Sequence, residues 1–247
     1  MKRATFLVVL LGCGPPQAVV APTGPTVTPP AVTARCPEGM AVLEGGSFTM
    51  GETPVTVGAF CMDLTEVTVE RYAACVAATR CKAERLDQRC DLGTDCSPNA
   101  ACNYGHADRH AHPINCISAA DAAAYCVEQG RRLPTEAEWE WAARGGPLGS
   151  KHPWGGAAPA DQLCWSGVAM RKGTCPTASF PNGQSPAHIH DLLGNVWEWT
   201  SSHDAGGQRV LRGASWIEPA IAAPDASTRS SIVEGHTGIG VGFRCVR

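Results

Sequence analysis

Asp191-Leu-Leu-Gly-Asn-Val-Trp-Glu-Trp-Thr-Ser-Ser202 is the stretch on which the reading of this chain turns. Asp191, Asn195 and Glu198 place three side-chain oxygen donors at short spacing, and Gly194 between them permits a sharp backbone turn. Calcium gathers oxygens from carboxylates and backbone carbonyls, so Asp191 and Glu198 with the carbonyls of Gly194 and Val196 form a candidate calcium cage. The same spacing also fits a polar turn without metal, because the dense carboxylate run of an EF-hand loop is absent. Trp197 and Trp199 sit two apart, so in an extended segment they share one face and bury a large apolar area.

Moving outward, helix signals precede this stretch. Thr135-Glu-Ala-Glu138 is a full capping box, and it opens a helix that stops at Gly145-Gly146 with Trp139, Ala142 and Ala143 on its buried face. Glu136 and Glu140 resemble paired catalytic acids, but on a capped amphipathic helix they read as structural. Ser118 caps a helix running to Gln129 before Gly130, and Thr68 caps one running to about Ala78 with Val69, Tyr72, Ala73 and Val76 inward. Apolar alternation over 40–50 around Gly45-Gly46 predicts a hairpin, and 55–62 predicts a further strand.

Composition narrows the class. The net charge of -3 and the lack of any Lys/Arg run argue against nucleic acid as a partner. Gly 27 and Pro 19 indicate a loop-rich fold, and 44% hydrophobic residues exclude a disordered chain. Thirteen cysteines without a Cys-x-x-Cys pair point to disulfides formed in an oxidising compartment. Cys164 and Cys175 flank a short Trp165-Ser-Gly167 turn and are expected to pair. Cys81, Cys90, Cys96 and Cys102 lie in a polar stretch that needs cross-links to hold it as a surface loop. His106, His110 and His112 read as loop histidines, since no carboxylate pattern accompanies them.

At the N-terminus, Lys2-Arg3 precedes a short apolar run, Phe6–Leu11, too short to span a bilayer. Leu10-Leu-Gly-Cys13 resembles a bacterial lipobox, which predicts a signal peptide over 1–12 and lipid on the Cys13 sulfur, with the membrane as partner through that anchor. Gly14 after the lipidated cysteine leans toward an outer-membrane destination, by resemblance to sorted lipoproteins. Residues 13–35 are rich in Pro, Thr and Ala and form a semi-extended spacer reaching about 60 Å at about 3 Å per residue. The globular domain is expected over 36–247.

The central stretch resembles the signature of the sulfatase-modifying-factor family, whose founding activity is formylglycine generation. Further blocks match in order: Gly45–Gly51, Thr65-Glu-Val-Thr68, His112-Pro113, Arg132–Gly146, Pro153-Trp-Gly155, Arg212-Gly-Ala-Ser-Trp216 and Gly242-Phe-Arg-Cys245. The resemblance implies a loop-rich α+β fold, C-type-lectin-like and stapled by disulfides. It also implies a calcium site on Asp191, Gly194, Val196 and Glu198, and a Cys126–Cys245 disulfide. The resemblance also implies another calcium site in the Cys164–Cys175 region, built partly on an Asp-x-Phe element that does not occur in this sequence, so that site is not expected.

Family oxidases bind copper through two cysteines shortly after the Arg-Gly-Gly-Ser block, and soft Cu(I) selects thiolates. Here no cysteine occurs between Cys175 and Cys245; counting from Ser215 the two positions hold Glu218 and Ala223, counting back from Arg229 they shift by a couple of residues, and on either count both cysteines are absent. Copper is therefore not expected and no catalytic residue is assigned. The chain reads as an extracytoplasmic, lipid-anchored, non-catalytic binding or structural module, with an extended peptide or glycan as ligand. The alternative is a formylglycine-generating oxidase acting on a cysteine of a sulfatase-type client.

Overall fold

A computed structural model describes residues 35–91, 95–167 and 169–247. The expected signal segment (1–12), the Cys13 lipidation site and all but the last residue of the spacer (13–35) lie outside the described residues. In chain order the strands and helices are β1 (Met40–Leu43), β2 (Gly46–Met50), β3 (Thr53–Val57), β4 (Phe60–Asp63), α1 (Val69–Ala77), β5 (Gln88–Asp91), β6 (Asp95–Pro98), α2 (Ala119–Glu128), α3 (Glu136–Ala143), β7 (Trp197–His203), β8 (Arg209–Arg212), β9 (Arg229–Ile232) and β10 (Val241–Gly242). The largest sheet has the order β10-β7-β8-β9, with β10 parallel to β7 and the other pairs antiparallel. Three two-stranded ladders, β1-β4, β2-β3 and β5-β6, surround it, so the fold is mixed α/β and loop-rich.

The three caps form where the sequence puts them. Thr68, Ser118 and Thr135 each accept an N–H from the first turn of α1, α2 and α3. At Thr135 the bond is reciprocal, since Glu138 also accepts the Thr135 backbone N–H at 2.8 Å. Removing the hydroxyl in Thr135→Ala is expected to cost about 1 kcal/mol, read as a lower urea midpoint at unchanged slope.

Two expectations give way. Residues 40–50 do not form a hairpin: β1 pairs with β4, β2 pairs with β3, and the turn between β2 and β3 lies at Gly51, with φ 60. Gly45 and Gly46 are required instead for close approach. A Cβ on Gly45 would stand 2.5 Å from the Val57 carbonyl oxygen, and one on Gly46 would stand 2.5 Å from the Trp141 ring. The single strand expected over 55–62 is likewise broken at Gly58-Ala59 into β3 and β4.

Helix α3 departs from its amphipathic reading, because Glu136, Glu138 and Glu140 are buried together with Trp139 and Trp141. Each carboxylate meets a guanidinium: Glu136 meets Arg229 at 2.6 Å, Glu138 meets Arg132, and Glu140 meets Arg144 at 2.7 Å and Arg212. The structural reading of Glu136 and Glu140 holds, since these acids anchor α3 to the β8–β9 region.

The β7 face bearing Trp199 and Trp197 packs on a core with Tyr72 of α1, Tyr125 of α2 and Phe243. Tyr72 stacks on Tyr125 at 5.4 Å, and Tyr125 meets Phe243 edge-on at 5.5 Å. A second core joins Trp139 and Trp141 to Leu192, Leu193 and Ile189.

Five disulfides are described in full: Cys36–Cys61, Cys75–Cys81, Cys102–Cys116, Cys126–Cys245 and Cys164–Cys175. The 81–102 stretch is therefore tied outward at both ends, to α1 through Cys75 and to Cys116, and is not closed by cross-links among its own cysteines alone. Within it the β5-β6 register sets Cys90 opposite Cys96. This many cross-links mark an extracytoplasmic domain that folds under oxidising conditions. Among the described residues, no helix is long and apolar enough to cross a membrane.

Candidate functional site

The 191–198 segment coils tightly before entering β7, with positive φ at Asp191 (54), Gly194 (82) and Asn195 (57). Only glycine fits at Gly194, where a Cβ would meet the Cys164 carbonyl oxygen at 2.7 Å. Asp191 is nearly buried, and its Oδ2 accepts the Ala178 N–H at 2.6 Å. Asn195 turns its Oδ1 toward the Cys175 N–H at 3.0 Å. Burial holds the Asp191 carboxyl above its ordinary range.

Glu198 points to the opposite side of β7 from the two tryptophans and is fully buried. Arg244 donates to it from two nitrogens, at 2.8 Å to Oε2 and 2.7 Å to Oε1, and Trp139 Nε1 donates to Oε2 at 2.9 Å. A carboxylate oxygen accepts about two hydrogen bonds, so Oε2 is saturated and only Oε1 keeps a lone pair. Among the described residues, no three Asp, Glu, His or Cys side chains converge closely enough to hold an ion by themselves.

The structure brings one further acid here from far away in sequence. Glu66, just after β4, is fully buried beside Asp191, Glu198 and Arg244. Its carboxyl lies within hydrogen-bonding reach of the Asp191 carboxyl, and no N–H donor completes a bond to either of its oxygens. Desolvation and the neighbouring Asp191 charge raise this carboxyl well above the usual range. Sequence marked Glu66 only as part of the Thr65–Thr68 block, with nothing to join it to Asp191.

On the tryptophan side, Trp197, Ser215, Ile217, Glu218, His236 and Arg89 are among the residues lining an open cavity of about 380 Å³. Trp197 Nε1 donates to Glu218 Oε1 at 2.9 Å, and Ser215 Oγ accepts the Ile217 N–H at 3.3 Å. Ala223 lies exposed past a short 3-10 turn, Ala220–Ala222, and does not line the cavity. The histidine cluster resolves into an ordinary contact, His112 Nδ1 to Thr174 Oγ1 at 2.8 Å.

The model of the Sulfatase-modifying factor enzyme 1-like domain matches residues 26–247. The chain belongs to the sulfatase-modifying-factor family. It is 30% identical to the formylglycine-generating enzyme of Streptomyces coelicolor, with 94% of each chain covered. It is 42% identical over 149 residues to the inactive C-alpha-formylglycine-generating enzyme 2 of Mus musculus, covering 54% of this chain and 48% of that protein. The chain thus spans about half the length of that mouse relative. Among solved structures, PvdO from Pseudomonas aeruginosa superposes with a TM-score of 0.66 at 25% identity, covering 84% of this chain and 93% of that one. CarF gives 0.62 at 22% identity, covering 84% and 97%.

Glu218, one of the two positions counted from Ser215, lines this cavity, and no cysteine or methionine is among its lining residues. All 11 cysteines whose side chains are described are disulfide-bonded.

Proposed function

We propose that this sulfatase-modifying-factor protein is a lipid-anchored, calcium-stabilised binding module of the extracytoplasmic space, whose Trp197–Glu218 cavity holds an extended peptide or a glycan and does not oxidise thiols. The observation that supports the reading is the Trp197–Glu218 hydrogen bond, in which a hard carboxylate is already engaged at the position that the count from Ser215 gives to a soft-metal ligand. Support also comes from the inactive mouse relative, matched at 42% identity over 149 residues. Copper-loaded protein incubated with a cysteine-bearing sulfatase-type peptide is expected to yield no aldehyde by mass spectrometry. Stoichiometric, tight Cu(I) uptake together with aldehyde formation would sink the proposal.

The second reading, a formylglycine-generating oxidase, is favoured by the match of 30% identity to the Streptomyces coelicolor enzyme over 94% of both chains. The same peptide assay decides between the two. For the anchor, Cys13→Ala is expected to move the protein from the membrane pellet to the soluble fraction of an expressing bacterium. An unchanged pellet would remove Cys13 as the point of attachment.

A further inference from the structure

Away from the Trp197 cavity, two guanidiniums face a second open cavity and share a single carboxylate. This cavity holds about 630 Å³, against about 380 Å³ for the first, and the two have no lining residue in common. Arg71, Arg131, Tyr125, Leu64, Ala74 and Glu38 are among its walls. Asp63, at the end of β4, is the buried carboxylate between the arginines. Its Oδ1 accepts Arg131 Nη1 at 2.6 Å, Arg71 Nη2 stands off at 3.4 Å, and its Oδ2 is already engaged by the Cys245 N–H at 3.0 Å. Two positive charges against one negative leave one positive charge uncompensated. Glu38 lies exposed on the rim and is ion-paired with neither arginine.

The backbone fixes both arginines in place. Arg131 follows the end of α2, where its N–H returns to the Cys126 carbonyl at 2.8 Å, and Cys126 is tied to Cys245 by its disulfide. Arg71 sits in the first turn of α1, with its N–H on the Thr68 cap. A helix start favours acids over cations, so helix stability gives no reason for a guanidinium there. Donors are also left over. The Arg131 side chain engages only Nη1 among the described residues, which leaves Nε and Nη2 open. The Tyr125 hydroxyl is within hydrogen-bonding reach of Arg71, and because a guanidinium can only donate, the hydroxyl accepts there and keeps its own proton for another acceptor. Guanidinium forks match the paired oxygens of carboxylates and phosphates. Leu64 and Ala74 supply apolar wall beside these donors, and the volume is that of a small-molecule site, roughly 300–1,000 Å³.

We infer that this cavity binds a small organic anion whose head is a singly charged pair of equivalent oxygens, a carboxylate or a phosphodiester, seated on Arg71, Arg131 and the Tyr125 hydroxyl with its apolar body against Leu64 and Ala74.

Titration of full-length protein with benzoate and with diphenyl phosphate, followed by NMR, tests the two heads, and benzamide is the uncharged match. At least one of the anions is expected to bind with a Kd of about 1 mM or tighter, more weakly as salt is raised. Benzamide should bind at least about tenfold more weakly than benzoate or diphenyl phosphate, whichever is the tighter. Arg71→Gln should weaken anion binding at least about tenfold, and Arg71→Lys, which keeps the charge without the fork, should fall between. The urea midpoint of Arg71→Gln should stay at the wild-type value, because Asp63 keeps Arg131 and the Cys245 N–H. The assignment is overturned if neither anion binds, if benzamide binds as tightly as the anions, or if Arg71→Gln binds them as tightly as wild type. A Gln variant whose urea midpoint falls along with its affinity would also overturn it, since Arg71 would then be a structural partner of Asp63 and not a ligand-binding group.

Discussion

Replacing Cys126 and Cys245 together by alanine is expected to be the most damaging disulfide removal in the domain. The bond closes 119 residues of sequence separation and links α2 to the C-terminal segment, with both sulfurs buried. On the loop-entropy model its loss costs about 5 kcal/mol, against about 2 kcal/mol for Cys75–Cys81, whose separation is 6. Domains of this size are stable by roughly 5–15 kcal/mol, so the double variant should unfold at far lower urea or fail to accumulate. The comparison is read from urea midpoints of the two alanine pairs, with a steeper slope for Cys126/Cys245 as the denatured chain expands. Equal losses for the two pairs would show that cross-link span does not set the stabilisation here.

Arg244→Met should come close to that effect by another route. Arg244 is fully buried and bidentate on Glu198, and it also caps the Asp63 and His190 carbonyls. Without it Glu198 keeps only Trp139 Nε1, at 2.9 Å, as a side-chain donor. Breaking a buried pair on one side costs about 3–5 kcal/mol, mostly from the charge left bare. Pairing it with Glu198→Met should recover part of the loss, though not all, because the two backbone carbonyls still lose their donor. Urea unfolding of the single and double variants in EDTA supplies the cycle. A double variant less stable than Arg244→Met alone would mean that Glu198 stabilises the site by something other than its arginine.

Local rules carried the helices. Thr68, Ser118 and Thr135 announce their caps because capping needs only a side chain and the amide three residues on. Strand pairing was less legible: Gly45-Gly46 reads as a turn, but those glycines exist to admit the Val57 carbonyl and the Trp141 ring, partners that local pattern cannot supply. Burial of α3 on nearly every side was hidden for a similar reason, since three glutamates look solvent-facing until the arginines that neutralise them arrive from 132, 144, 212 and 229.

The candidate site divides in the same way. Sequence alone determined that residues 191–198 form a coiled, oxygen-rich turn leading into a tryptophan-bearing strand, and that no cysteine lies between 175 and 245 to hold copper. Both are properties of neighbours along the chain or of simple presence. Only the tertiary structure decided that Glu198 belongs to Arg244 and that Glu66, 125 positions before Asp191, is buried against it. Whether a carboxylate meets a metal, a guanidinium or nothing depends on what the fold packs against it, and that charge balance is settled in space and not along the chain.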